Sequence, residues 1–133
     1  MTNTIFSKII AREISADIIY EDDHVIAFLD INPVQKGHTL VVPKEPFRWF
    51  TDLPADLLLP LFETSQRIAR AIKEATDADL VQLSIVGDEV PHMHIHLIPR
   101  FKNDNLSSWP TEKYEEGESE KFRENIRTNL EVT

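Results

Sequence analysis

Pro91-His92-Met93-His94-Ile95-His96-Leu97-Ile98-Pro99 is the stretch on which the reading of this chain turns. Side chains alternate along a strand, so as a strand it sends His92, His94 and His96 to one face and Met93, Ile95 and Leu97 to the other. On a helix the same residues scatter around the axis, and no chemistry is shared. The spacing therefore predicts a strand from Pro91 to Pro99, with three imidazoles about 6.5–7 Å apart on its polar face. The apolar face is expected to pack beneath a helix.

The rest of the chain supplies the partners of that strand. Ile5, Phe6, Ile9 and Ile10 recur at helical spacing, which predicts a short amphipathic helix within Ile5 to Ile14. Asp17-Ile18-Ile19-Tyr20 and His24-Val25-Ile26-Ala27-Phe28-Leu29 flank the turn Glu21-Asp22-Asp23 and read as a hairpin. Asp30-Ile31-Asn32-Pro33 breaks its second strand, because Asp and Asn favour turns and Pro lacks an N–H. His38 to Val42 is a third strand, stopped by Pro43. Leu58, Leu61, Ile68, Ile72 and Ala75 predict one long helix from about Pro54 to Glu74, capped by Thr51 or Asp52. Pro60 is expected to kink that helix or delay its start. Leu80 to Val86 is the fourth strand. Clustered strands with one helix over them indicate an α+β domain on a mostly antiparallel five-stranded sheet.

After Asn103 the character changes. Trp109-Pro110 leads into a Glu-rich stretch in which Phe122, Ile126 and Leu130 form a thin apolar stripe. The expected organisation is a domain over residues 1–102 and an acidic C-terminal helix over 103–133, packed on the same domain or on a dimer partner. Phe47, Trp49 and Phe50 form an aromatic cluster that suits an interface or packing against the long helix.

Composition narrows the chemistry. The 133 residues fit one domain, and with no cysteine there is no disulfide, thiolate metal site or cysteine nucleophile. The net charge of −9 disfavours a broad nucleic-acid footprint. No apolar run approaches the ~20 residues of a membrane-spanning helix, and the start carries no secretory-signal pattern, so a cytoplasmic protein is expected.

Neutral imidazole is a competent nucleophile at physiological pH. Close rings penalise one another's protonation, which favours a neutral ring at the middle of the row. His94 is therefore the natural nucleophile, with its neighbours donating hydrogen bonds to the electrophile and the departing group. A zinc site is the alternative: two histidines of the row with His38 or His24 would supply ligands. The strand carries no carboxylate to orient them, which weighs against it.

These residues resemble the signature of the histidine triad (HIT) superfamily, closest to its small Hint-like branch. The resemblance runs from Ile5 to Arg100 and includes Phe28-Leu29-Asp30-Ile31-Asn32-Pro33 and Gly37-His38-Thr39-Leu40-Val41-Val42-Pro43-Lys44. It implies a hydrolase or transferase acting on nucleoside monophosphates joined through phosphorus to an amine or phosphate, with no required cofactor. By position, His94 would attack the α-phosphorus and form a nucleotidyl-histidine. His96 and His38 would flank the phosphate, and His92 would support the row. Asp30 would accept hydrogen bonds from the ribose hydroxyls. Phe6, Ile9, Phe28 and Ile31 would line a slot for a purine base. Without the resemblance, plain core packing explains the apolar residues as well, and a turn cap explains Asp30. A homodimer joined sheet edge to sheet edge is also implied, with no nucleic-acid polymer or membrane as partner.

The segment before the triad departs from the family. Hint-like members usually carry a longer loop ending in Gly-Gln-Ser; here it is Gly87-Asp88-Glu89-Val90, and the usual Asn is replaced, at best, by Ser84. Carboxylates repel a phosphate and offer it no proton. Either Asp88 and Glu89 turn outward while backbone N–H groups serve the ligand, or the leaving-group side takes a cationic amine. The expected activity is hydrolysis of AMP phosphoramidates. Dinucleoside polyphosphate hydrolysis and low-turnover purine nucleotide binding are the alternatives.

Overall fold

The computed structural model describes residues 3–106 and 112–130; Trp109 and Pro110 lie outside them. The elements run α1 (Ile5–Ile10), β1 (Ile18–Glu21), β2 (Val25–Leu29), β3 (Thr39–Pro43), α2 (Ala55–Thr76), β4 (Leu80–Ser84), β5 (Ile95–Arg100) and α3 (Glu118–Leu130). The five strands form one antiparallel sheet in the order β1-β2-β3-β5-β4, so the α+β expectation holds.

Local chemistry explains where the elements stop. A capping box starts α1: the Thr4 hydroxyl accepts from the Ser7 N–H, and the Ser7 hydroxyl accepts from the Thr4 N–H. The helix ends at Ile10 rather than near Ile14. Arg12 adopts the left-handed conformation, and Arg12 and Glu13 donate to the carbonyls of Ile9 and Lys8, which closes the last turn. The β1–β2 turn is built by Asp22, whose carboxylate accepts from the His24 and Val25 N–H groups.

Of the two effects expected of Pro60 the delayed start is absent, and the expected cap of α2 needs correction. Its N-cap is Pro54, and no side chain caps it; Thr51 and Asp52 lie in a preceding 3-10 turn. Pro60 does not delay the start, because the helix already runs from Ala55. β5 is also shorter than Pro91 to Pro99 and begins only at Ile95. The β3–β5 register pairs Val41 with Ile95, and continuing it would set Pro43 against Met93. Pro43 has no N–H to give that ladder. Met93 N–H donates instead to the Phe47 carbonyl at 2.6 Å, and His92 N–H to the Val90 carbonyl.

Strands β2 and β3, at the middle of the sheet, are buried on both faces. On one, Val25, Ala27, Val41, Met93, Ile95 and Leu97 pack against Leu61, Ile68 and Ile72 of α2, as the alternation predicted for the odd-numbered positions. Phe47 joins this core, and Phe50 lies edge-on to Phe62 of α2. On the other face, Ile26, Phe28, Leu40 and Val42 pack against Phe6 and Ile9 of α1. The register sets Phe28, Leu40, His96 and Ser84 in one row across this second face, so the histidines open on the side away from α2. No residue of α3 is buried, and Phe122 and Ile126 are exposed. No helix among the described residues is long and apolar enough to cross a membrane.

Candidate active site

A cleft of about 420 Å³ opens on the α1 side of the sheet, lined among others by Asp30, His38, Gln82, Ser84, Gly87, Glu89, His94 and His96. Two stretches distant in sequence meet there: the connection from β2 to β3, and β4 with the loop that joins it to β5 and β5 itself.

The hydrogen bonds fix the tautomer of each ring. A carbonyl can only accept, so the 2.7 Å contact from His94 Nδ1 to the His92 carbonyl places the proton on Nδ1. His94 Nε2 keeps its lone pair, and this is the nitrogen left to face the cleft. A relay fixes the neighbour. Val34 N–H donates to His38 Nδ1 at 3.0 Å, so His38 carries its proton on Nε2 and donates it to His96 Nδ1 at 3.0 Å. His96 is left with Nε2–H as a donor. His92 Nε2 donates to the Pro43 carbonyl at 2.7 Å, and its Nδ1 is buried without a partner. An unpaired acceptor is tolerable for a ring kept neutral. Pro43 thus ends the ladder and anchors the first histidine with the same residue.

Burial sets the protonation. His38, His92 and His94 are almost fully buried, and burial is the main cause that pushes all four histidines below the ordinary imidazole value. The positive neighbour that each ring would become adds to the effect, while Asp30 opposes it at His38, His94 and His96. Phe6 shields the centre of the row, edge-on to His94 at 4.8 Å and to His92 at 5.9 Å. The ring centroids of His94 and His96 lie 4.8 Å apart, closer than the two-residue repeat of an ideal strand.

Asp30 does two things at once. Its Oδ1 accepts from Asn32 N–H and closes the turn, while Oδ2 lies 3.7 Å from His38 Nε2. Ligand atoms of Asp30, His38 and His96 lie within 4.8 Å of one another, a set able to hold a metal ion. The orienting carboxylate missing from the strand therefore arrives from another segment. His24 is exposed in the β1–β2 turn and is not part of this set.

The remaining expected residues divide. Gly87, Asp88 and Glu89 line the cleft, with both acidic residues exposed. Val90 packs against the α1-side core. Phe6, Ile9 and Phe28 form that core beneath the histidines rather than the cleft wall, and Ile31 is 77% exposed. Sequence reading missed Gln82, Asn32, Val34, Val86 and Ile98, and offered Ser84 only as a substitute for the loop Asn. The signal for Gln82 was its alternation, with Ser84, against Val81 and Leu83. Gln82 is held by Arg100 Nη1 at 2.6 Å and donates to the Ser84 hydroxyl at 3.0 Å.

The chain is similar to known proteins over most of its length. The HIT domain model matches residues 11–103. An uncharacterized HIT-like protein of Methanocaldococcus jannaschii is 43% identical over 104 residues, covering 75% of this chain and 81% of its own length. Adenosine 5′-monophosphoramidase of Saccharomyces cerevisiae is 33% identical over 130 residues, covering 96% of this chain and 82% of its own. The crystal structure of a HIT family member from Bacillus subtilis superposes with a TM-score of 0.86 at 34% identity, covering 96% of each chain.

Proposed function

The chain belongs to the HIT family, and from that premise we propose that it hydrolyses nucleoside 5′-phosphoramidates, of the AMP-lysine or AMP-NH2 type, through a nucleotidyl intermediate on His94. The observation that carries this reading is the His94 Nδ1–H bond to the His92 carbonyl, which leaves Nε2 as a neutral nucleophile at the cleft. Nε2 attacks the α-phosphorus, and the P–N bond to the leaving group breaks. The nitrogen departs as a neutral amine carrying the proton it took from solvent. Water then attacks phosphorus and gives up a proton to solvent, and the P–Nε2 pair returns to His94. His96 Nε2–H donates to the phosphoryl oxygens as charge builds on them. Asp30, at the cleft, accepts from the ribose diol.

Among the described residues no Lys or Arg lines the cleft, whereas Asp30, Asp88 and Glu89 do. That lining suits an amine leaving group better than a polyphosphate. The work is done by imidazoles and hydrogen-bond donors, so no metal is required. A homodimer completes the reading: β4 is a sheet edge, with Leu80 and Leu83 exposed on it and Leu59 exposed on α2.

A substrate panel tests this function. Adenosine phosphoramidate and an AMP-lysine phosphoramidate should turn over with a kcat/KM well above that of diadenosine polyphosphate. Faster polyphosphate cleavage would overturn the preference, and no turnover of any member would reduce the protein to a nucleotide binder.

A further inference from the structure

Gly87 separates two hollows. On one side is the histidine cleft; on the other is a smaller cavity of about 180 Å³ lined by Arg48, Trp49, Phe50, Thr51, Ile85, Val86, Gly87 and Met93. Arg48 Nη1 reaches across this second cavity and donates to the Gly87 carbonyl at 2.5 Å. Its guanidinium lies over the Trp49 ring, 3.7 Å from the centroid, which holds the donor in place. The preceding residue, Phe47, accepts from Met93 N–H between two of the histidines. One short segment therefore grips both the triad and the loop beside it.

The consequence lies in one peptide group. There is no cis peptide among the described residues, so the Gly87 C=O and the Asp88 N–H point in opposite directions from the same plane. With the carbonyl drawn toward Arg48, the Asp88 N–H points away from Arg48. The N–H groups of Gly87, Asp88, Glu89 and Val90 donate to no protein acceptor among the described residues, which leaves them for a ligand. Gly87 itself sits at φ +89°, a region where glycine meets little penalty and where the following peptide could readily turn over.

We infer that Arg48 is a positioning residue, which through the Gly87 carbonyl holds the Asp88 N–H toward the histidine cleft as a donor to the bound phosphoryl group. This rests on the proposal that the cleft takes a nucleoside phosphate. It also accounts for the loop chemistry: backbone donors do the work that neutral side chains would do, and the carboxylates of Asp88 and Glu89 stay exposed.

The test uses equilibrium binding of AMP and adenosine, which differ only by the phosphate, so it does not depend on turnover. Arg48→Ala should weaken AMP about tenfold or more and leave adenosine unchanged, the scale expected when a charge-assisted contact and the donor it orients are lost. Arg48→Lys, which keeps the charge but not the fork, should fall between. Added guanidinium should restore AMP affinity to the alanine variant better than an equal concentration of sodium chloride. In the 15N-labelled wild-type protein the Asp88 amide resonance should move with AMP and not with adenosine, a readout that stands even where a variant fails to fold. An unmoved Asp88 amide, equal losses for AMP and adenosine, or an unaffected Arg48→Ala would overturn the inference. A protein that hydrolyses phosphoramidates yet shows any of these loses only the Arg48 assignment. A wild type that binds AMP no better than adenosine loses both.

Discussion

Replacing Phe6 by leucine separates the packing role of α1 from its electrostatic one. Phe6 is 4% exposed and lies edge-on to His94, His92 and Phe28. A buried Phe→Ala change costs about 3–5 kcal/mol, and the smaller loss of volume in Phe6→Leu should cost about 1–2 kcal/mol. For a chain of this size that lowers Tm by roughly 3–10 °C. The same gap admits water to the His94 ring. Burial is the first cause that holds His94 below the ordinary imidazole value, so its pKa should rise toward about 6.5. A higher pKa means a smaller neutral fraction in mild acid, and each unit of rise corresponds to about 1.4 kcal/mol. Activity near pH 6 should drop while activity near pH 8 keeps its wild-type value, as far as about neutral pH allows full deprotonation. Urea melts, a pH–rate profile and NMR titration of the ring give the three readings. A destabilised variant whose acid limb has not moved upward would refute the claim that this packing keeps the nucleophile neutral.

Other consequences follow from the same contacts. His38→Ala removes the donor to His96 Nδ1 and frees that ring's tautomer, so kcat should fall about 10–100-fold, the scale seen when an orienting partner is lost. An unchanged kcat would remove the relay from the account. His38, His92, His94 and His96 all have folded pKa values below their unfolded ones. The unfolded state therefore binds protons first as pH falls: this stability is whole above about pH 6.5 and is lost as pH drops from there through the folded values. Tm should be level on the alkaline side and decline below that point; a level Tm across the window would contradict neutral burial. Prolonged treatment with a strong chelator should leave turnover intact, and a loss restored by zinc would instead favour a metal held by Asp30, His38 and His96.

Much of the arrangement was readable because alternation is a property of extended backbone and does not need a ladder. Met93, Ile95 and Leu97 do pack under α2 although β5 begins only at Ile95. What the pattern could not show was the competition for backbone partners, in which Pro43 withholds an N–H and Phe47 supplies a carbonyl to Met93. Asp30 read equally as turn cap and as ligand contact; its Oδ1 does close the turn, and its Oδ2 lies beside His38. Phe6, Ile9 and Phe28 read as a base slot or as core, and all three are buried where α1 packs on β2 and β3. Arg48 had no local signal at all. Its partner lies 39 residues away, and only the folded chain brings it to Gly87.

Trapping the intermediate tests the central chemistry most directly. Acid cleaves the phosphorus–nitrogen bond of such an adduct, so the reaction with adenosine phosphoramidate should be quenched in alkali and the protein digested and mapped by mass spectrometry. One nucleotidyl group should appear on the peptide carrying His94, at its Nε2, and should vanish in His94→Ala together with turnover. An adduct on any other residue, or a His94→Ala protein that still hydrolyses the substrate at the wild-type rate, would contradict it.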